Sequence, residues 1–237
     1  MARGIMAGPA RAAAVLALLL SAPAPAAAQT TLDLQWQTRY ISEARDYIGN
    51  GGFFGLKLAH RFDSGAFVGW WHLYGDQTHY IKHNIFAGYG QTRGDFYIEF
   101  SWHRLNFWER EGPANGSNDF YLYSSWHGLD WLTPVLHAYY NTRFNGTHIQ
   151  LNVESPALIK TARMSVTPYI GVAVDENYST TDHDGLNHIE AGIRGVIPLS
   201  DKTRLKFFFT HTDARADVKK EGLGDKNWAG VHLSFTL

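Results

Sequence analysis

The chain has 237 residues, 21 Lys+Arg against 22 Asp+Glu, 14% aromatic residues and no cysteine. A formal net charge of −1 offers no electrostatic footprint for nucleic acid. The missing cysteines exclude a disulfide-held domain and a thiolate metal site.

The first 28 residues carry Arg3 and Arg11, then the apolar run AAAVLALLL, then SAPAPAAAQ. A basic start, a short apolar core and a small-residue cleavage site read as a secretory signal peptide cut near Ala28. The run is well short of the ~20 residues that a spanning helix needs. Removing residues 1–28 takes two arginines and no acid, so residues 29–237 carry a net charge of −3.

From there the chain alternates. Twelve segments show a period of two: 32–41, 52–62, 66–74, 80–90, 96–106, 119–127, 132–142, 147–154, 162–174, 188–199, 203–211 and 228–237. In the first, Leu32, Leu34, Trp36 and Tyr40 oppose Asp33, Gln35, Gln37 and Arg39. In the eighth, Ile149, Leu151 and Val153 oppose His148, Gln150, Asn152 and Glu154. Segments of about ten alternating residues are what a tilted strand needs to cross a bilayer. The connections alternate as well. FDSG, QTRGD, HGLDW, ESPALIKT and LSDKT are turn-like, whereas SEARDYIGNGG, WEREGPANGSN, DENYSTTDHDGLN and TDARADVKKEGLGDKN are long and polar, with GDQTH and RFNG as short exceptions. Short turns at one end and long loops at the other are the arrangement of a bacterial outer-membrane barrel. The expected fold is therefore all-β: an antiparallel, up-and-down transmembrane β-barrel of about 12 strands, with both termini on the periplasmic side.

The chain ends in WAGVHLSFTL, where Gly230, Leu233 and Phe235 resemble the last strand of outer-membrane β-barrel proteins, though Leu237 stands where that family usually ends in an aromatic residue. The resemblance implies recognition of this strand by the barrel assembly machinery. The phrases TPYIGVAVD and VIPLSDKTRLKFFFTHTD resemble small porins of the TorF type, and twelve-stranded acidic-oligosaccharide channels of the KdgM type share the layout.

If the apolar rows face lipid, Trp36, Tyr40, Trp71, Tyr89, Phe96, Trp102, Trp126, Tyr140 and Phe207 fall outward and supply the interfacial girdles. The opposite rows form the lumen. Arg39, Lys57, Arg61, Glu99, His103, Tyr139, Arg163, Glu190, Arg194 and Lys206 are the expected pore-lining residues, with His72, Glu154 and Asp33 on the same wall. A charge on the lipid side would cost ~2–4 kcal/mol near mid-bilayer, whereas water or a partner charge satisfies it in a lumen. The same residues also fit a plainer role, as Arg–Glu pairs that hold a narrow barrel in shape.

Catalysis finds little support. A lipid hydrolase needs histidine and serine within hydrogen-bond reach, and Ser101 and His103 share a strand face but stand ~7 Å apart along it. The loop DENYSTTDHDG gathers Asp175, Glu176, Asp182 and Asp184 without the fixed spacing of a calcium loop and reads as solvated. No cofactor or metal is implied. The expected function is a channel for passive diffusion of small hydrophilic solutes, with a weak anion or sugar preference. Its surroundings would be outer-membrane lipid and lipopolysaccharide. The alternatives are a non-conducting barrel that anchors or binds through its long loops, and a lipid-modifying enzyme.

Overall fold

In the computed structural model, residues 28–108, 115–178 and 184–237 are described. The segment expected to be a signal peptide lies outside them, apart from residue 28.

Twelve strands make one sheet closed on itself: β1 (Gln29–Gln37), β2 (Phe53–Arg61), β3 (Ala66–Gly75), β4 (Ile81–Arg93), β5 (Phe96–Trp108), β6 (Asn115–Trp126), β7 (Thr133–Asn141), β8 (Gly146–Glu154), β9 (Ser165–Glu176), β10 (Gly185–Pro198), β11 (Thr203–Ala214) and β12 (Lys226–Thr236). Each strand pairs antiparallel with its sequence neighbours, and β1 pairs with β12, Leu34 opposite Leu233, to shut the barrel. Closure removes the sheet edges that would otherwise expose unpaired backbone groups in lipid.

Several strands depart from their expected bounds, some longer and some shorter. β4 continues to Arg93, which leaves only Gly94 and Asp95 as the turn to β5, and Gly94 takes the positive φ of +56° that this turn requires. β10 starts at Gly185 and β11 reaches Ala214, so both extend past the expected boundaries toward the long loops. β9 begins only at Ser165, because 161–164 form a turn closed by Thr161 N–H to the Met164 carbonyl.

Burial is inverted relative to a water-soluble domain. Phe54, Ile85 and Ile170 are more than half exposed, while His148, Asn152, Asn187, Thr210 and Asp119 are almost fully enclosed. The apolar rows therefore point away from the barrel axis, which only a hydrocarbon surround makes favourable. Near the short-turn end, Phe96 stacks on Trp126 with ring centroids 5.9 Å apart.

Prolines obey the same logic. Pro134 is second in β7, Pro198 is last in β10, and Pro168 is fourth in β9, opposite Ile193. On its other side β8 has already ended, and Pro168 offers its carbonyl to the Ser155 N–H. A missing donor near the short-turn end of a ladder breaks nothing in its middle.

Candidate functional site: the barrel lumen

Eight of the ten expected pore-lining residues stand on the inner wall: Lys57, Arg61, Glu99, His103, Tyr139, Glu190, Arg194 and Lys206. Arg39 and Arg163 do not. Arg39 follows the end of β1 and pairs with Asp46 at 2.8 Å, and Arg163 sits in the exposed turn before β9. The alternation that puts them on the wall does not hold past the true strand ends.

Most of the inward cations are tied to acids on other strands. Arg61 donates to Glu99 at 2.7 Å and to the Tyr97 hydroxyl at 3.0 Å. Arg194 pairs with Glu154 and lies 4.1 Å from the centre of the Tyr169 ring. Lys206 reaches Asp33 at 3.5 Å, and Gln150 donates to Glu190 at 2.6 Å. A charge withdrawn from bulk water needs a partner of opposite sign, and these pairs supply one across the wall. Two cations are different. Lys57 and Lys82 make no salt bridge among the described residues. Lys57 lies 5.1 Å from the Phe86 ring, and Lys82 donates to the Tyr40 hydroxyl at 2.5 Å. Lys82 was open to detection, since Ile81, His83 and Ile85 set the outward row and leave it inward.

Aromatic side chains line the wall of β5 to β8. His103 and Tyr121 rings lie 4.1 Å apart, Tyr121 and Tyr139 4.6 Å, and Tyr139 stacks on His148 at 5.6 Å. Ser101 and His103 do meet, contrary to the spacing argument: Ser101 Oγ is 2.9 Å from His103 Nε2, and Asn84 Nδ2 is 3.0 Å from His103 Nδ1. The strand pleat allows long side chains at i and i+2 to lean together. Ser101 is nonetheless buried and borders none of the three lumen cavities described below.

In β3 the faces are the reverse of the expectation. His72 points outward beside His83, and Trp71 points inward with Tyr40 and Phe53. AFVGWWHLY carries bulky apolar residues on both rows, so alternation alone cannot assign its faces. Tyr40, expected in a girdle, lies past the end of β1 and is buried inside.

What buries these rings is the first long loop. Residues 38–52 turn into the lumen and form a small hairpin, with Ile41 opposite Asp46 and Ser42 opposite Arg45. Its two tip residues, Glu43 and Ala44, have φ of 49° and 60°. Both central residues at positive φ make a type I′ turn, normally filled by Asn-Gly. Holding non-glycine residues there costs ~1–3 kcal/mol each. Three contacts offset that strain. At the base, Tyr40, Ile48, Phe53, Leu73 and Tyr80 pack together. At the tip, Ala44 packs against Ala214 and Val218, the latter in the short helix α1 (Ala216–Lys220). Between them, Arg45 spans the barrel to Asp217 at 3.4 Å, Asp175 at 3.6 Å and Glu221. Burial works against the Arg45 charge, but Glu221 and Asp175 outweigh it and hold the guanidinium above its usual pKa.

Asp175 is thus an enclosed partner of Arg45 and not the solvated loop residue its surroundings suggested; Asp182 lies outside the described residues. A register shift between Ala173 and Val174 bulges β10 at Asn187, whose Nδ2 donates to Asp217 at 3.0 Å. The bulge re-aims a side chain to support the clamp.

The hairpin divides the lumen. Cavities of about 390, 220 and 200 Å³ surround it, and Glu43 borders all three. The first is walled by Lys57, Lys82 and His103, the second by His137, Glu190 and Arg194, and the third by Lys82, Asp119 and Tyr178. Burial pushes the Glu43 carboxyl above the ordinary carboxylate range, while the Ser42 hydroxyl and the cations Lys82 and Arg45 pull it back.

No family model matches the chain, and no curated protein sequence matches it. Solved structures do. A KdgM porin, in a complex with disordered oligogalacturonate, superposes with a TM-score of 0.58 at 12% identity, covering 87% of this chain and 99% of its own. An outer membrane channel from Pseudomonas putida gives 0.58 at 10% identity, covering 92% and 98%. LpxR from Salmonella typhimurium gives 0.53 at 9% identity, covering 86% and 99%. Such identities speak for the fold alone: this chain is a closed, twelve-stranded antiparallel barrel, similar in fold to a porin and to an outer membrane channel.

Proposed function

We propose that this protein is an outer-membrane channel for passive diffusion of small hydrophilic solutes, narrowed by its own first loop. The observation that carries this reading is Glu43, presented by a strained hairpin to all three cavities of a polar, water-compatible lumen. A pore needs a site where a permeating solute meets fixed charge at close range. Here the solute would pass between Glu43 and the ammonium groups of Lys57 and Lys82, which no described acid pairs. Opposite charges across one constriction admit neutral polar solutes and bias ions only weakly. The cations on the wide side give anions the small advantage, and the ring-lined wall of β5 to β8 suits sugars.

Reconstitution in planar bilayers tests the reading. Discrete conductance steps with a permeability ratio near unity are expected. A correctly folded but silent barrel would favour the second reading, a non-conducting barrel, which the hairpin's occupation of the lumen supports. Those two separate further with Arg45→Ala: a plugged barrel opens on release of the clamp, and a solid one stays silent. The serine beside His103, the pair an enzymatic role would draw on, is enclosed and borders none of the three cavities.

A further inference from the structure

The outer wall of β3 to β5 interrupts its apolar surface with a polar patch. Along β5 the outward row runs Phe96, Ile98, Phe100, Trp102, and then Arg104, Asn106 and Trp108. Phe100 is half exposed and Leu105, on the opposite row, is buried, so the Arg104 side chain points away from the lumen. The register carries the patch sideways: Asn106 faces His83, and His83 faces His72. The two imidazole rings are 4.5 Å apart, Trp70 stacks on His72, and Trp108 meets His83 edge-on at 4.8 Å.

Its height is informative. Strands rise ~3.4 Å per residue, so Arg104 stands ~27 Å along β5 from Phe96, or about 20 Å above it at the usual tilt. Phe96 belongs to the short-turn girdle, and the apolar band of such barrels is ~25 Å tall. Asn106, His83 and His72 therefore sit at the long-loop edge of that band, and Arg104 lies ~5 Å below it, within reach of the headgroups for a side chain of its length. Among the described residues Arg104 has no carboxylate partner, and its guanidinium lies over Gly116, where a Cβ would come within 2.8 Å of it. His72 Nδ1 is enclosed and has no hydrogen-bond partner among the described residues, which leaves Nε2 as the nitrogen that could face outward. An arginine at this level, with no carboxylate partner among the described residues and beside imidazole and indole rings, presents a planar fork suited to phosphate oxygens.

We propose that this patch docks the phosphorylated headgroup of an outer-leaflet glycolipid, with Arg104 as the phosphate fork, His83 and His72 as auxiliary donors, and the tryptophans framing the acyl boundary. The inference rests on the reading that the barrel spans an outer membrane with its long loops outside.

The test is native mass spectrometry of the folded barrel in detergent, titrated with bisphosphorylated lipid A, dephosphorylated lipid A or inorganic phosphate. R104Q should bind the phosphorylated lipid about tenfold more weakly, the loss of one charge-assisted contact. R104K should retain part of the affinity, H72Q/H83Q should fall between, and dephosphorylated lipid should bind all variants alike. Equal affinity of wild type and R104Q for the phosphorylated lipid would overturn the proposal, and so would wild-type binding that ignores the phosphates. Retention of inorganic phosphate as tight as that of the lipid would make the patch a free-anion site and overturn the lipid assignment. Folding of R104Q is read from its mobility shift on unheated gels; if it fails to fold, R104K and H83Q carry the comparison. Bilayer conductance reports on the channel separately, because these side chains face away from the lumen.

Discussion

A single carboxylate decides what the constriction does to ions. Glu43 borders the three cavities, and Lys57 and Lys82 face it without acid partners among the described residues. One unit charge at about 4 Å in water-like surroundings is worth ~1 kcal/mol, or roughly fivefold in a permeability ratio. Glu43→Gln should therefore raise anion over cation permeability by up to that factor, measured as a reversal-potential shift in a salt gradient. The folded-state pKa of Glu43 is raised, so the hairpin binds this proton more tightly than an unfolded chain would. Falling pH should then move the wild type toward the Glu43→Gln behaviour, beginning above the pH at which an ordinary glutamate titrates, and should favour docking of the hairpin. Rising pH restores the charge and weakens that docking. Selectivity in Glu43→Gln that still follows pH in this range would assign the effect to another group.

At the scale of the element, the first loop is an object in its own right. Its clamp joins Arg45 to Asp217 and Glu221, 172 and 176 positions further along the chain. Removing one partner of a buried charge cluster costs ~3–5 kcal/mol, because the remaining carboxylates lose their compensation. Arg45→Ala should lower unfolding stability by that order in urea titrations and enlarge or destabilise the open-channel current. A variant with wild-type stability and current would remove the clamp from the account. Gly52, at the foot of the loop, tests the seat separately. A Cβ there would come within 2.1 Å of the Gln37 carbonyl oxygen, which is backbone and cannot swing aside. Gly52→Ala should cost ~1–3 kcal/mol by overpacking, seen as an earlier loss of the compact band on heating.

Across the whole molecule, the direction of the apolar rows is the claim with the widest consequences. Val231 is near the middle of β12, opposite Trp36 and Phe207 and exposed outward. Val231→Arg should lose ~2–4 kcal/mol of folding stability in liposomes. His232, its inward neighbour, already tolerates a polar side chain beside Gln37, so His232→Gln should change stability far less. Equal costs at the two positions would contradict the inverted burial. A chain that runs as one band whether or not it is boiled would point the same way.

Read alone, the sequence determined the strand number, the closure and the inward placement of residues such as Lys57, Glu99 and Arg194, because a period of two is a local property that lipid and water enforce at every step. It also placed Pro168 toward the short-turn end. Where that local signal ran out, it misled. Arg39 and Arg163 lie just past the strand ends, and β3 shows bulky residues on both rows, so Trp71 and His72 exchanged faces. The hairpin was illegible for a deeper reason. Glu-Ala is no hairpin turn by local preference, and it is held only because Ala44 and Arg45 find Val218, Asp175 and Asp217 across the barrel. Those partners come together only when twelve strands close into a ring, so the tertiary structure alone decided that the first loop enters the lumen and what charge it brings there.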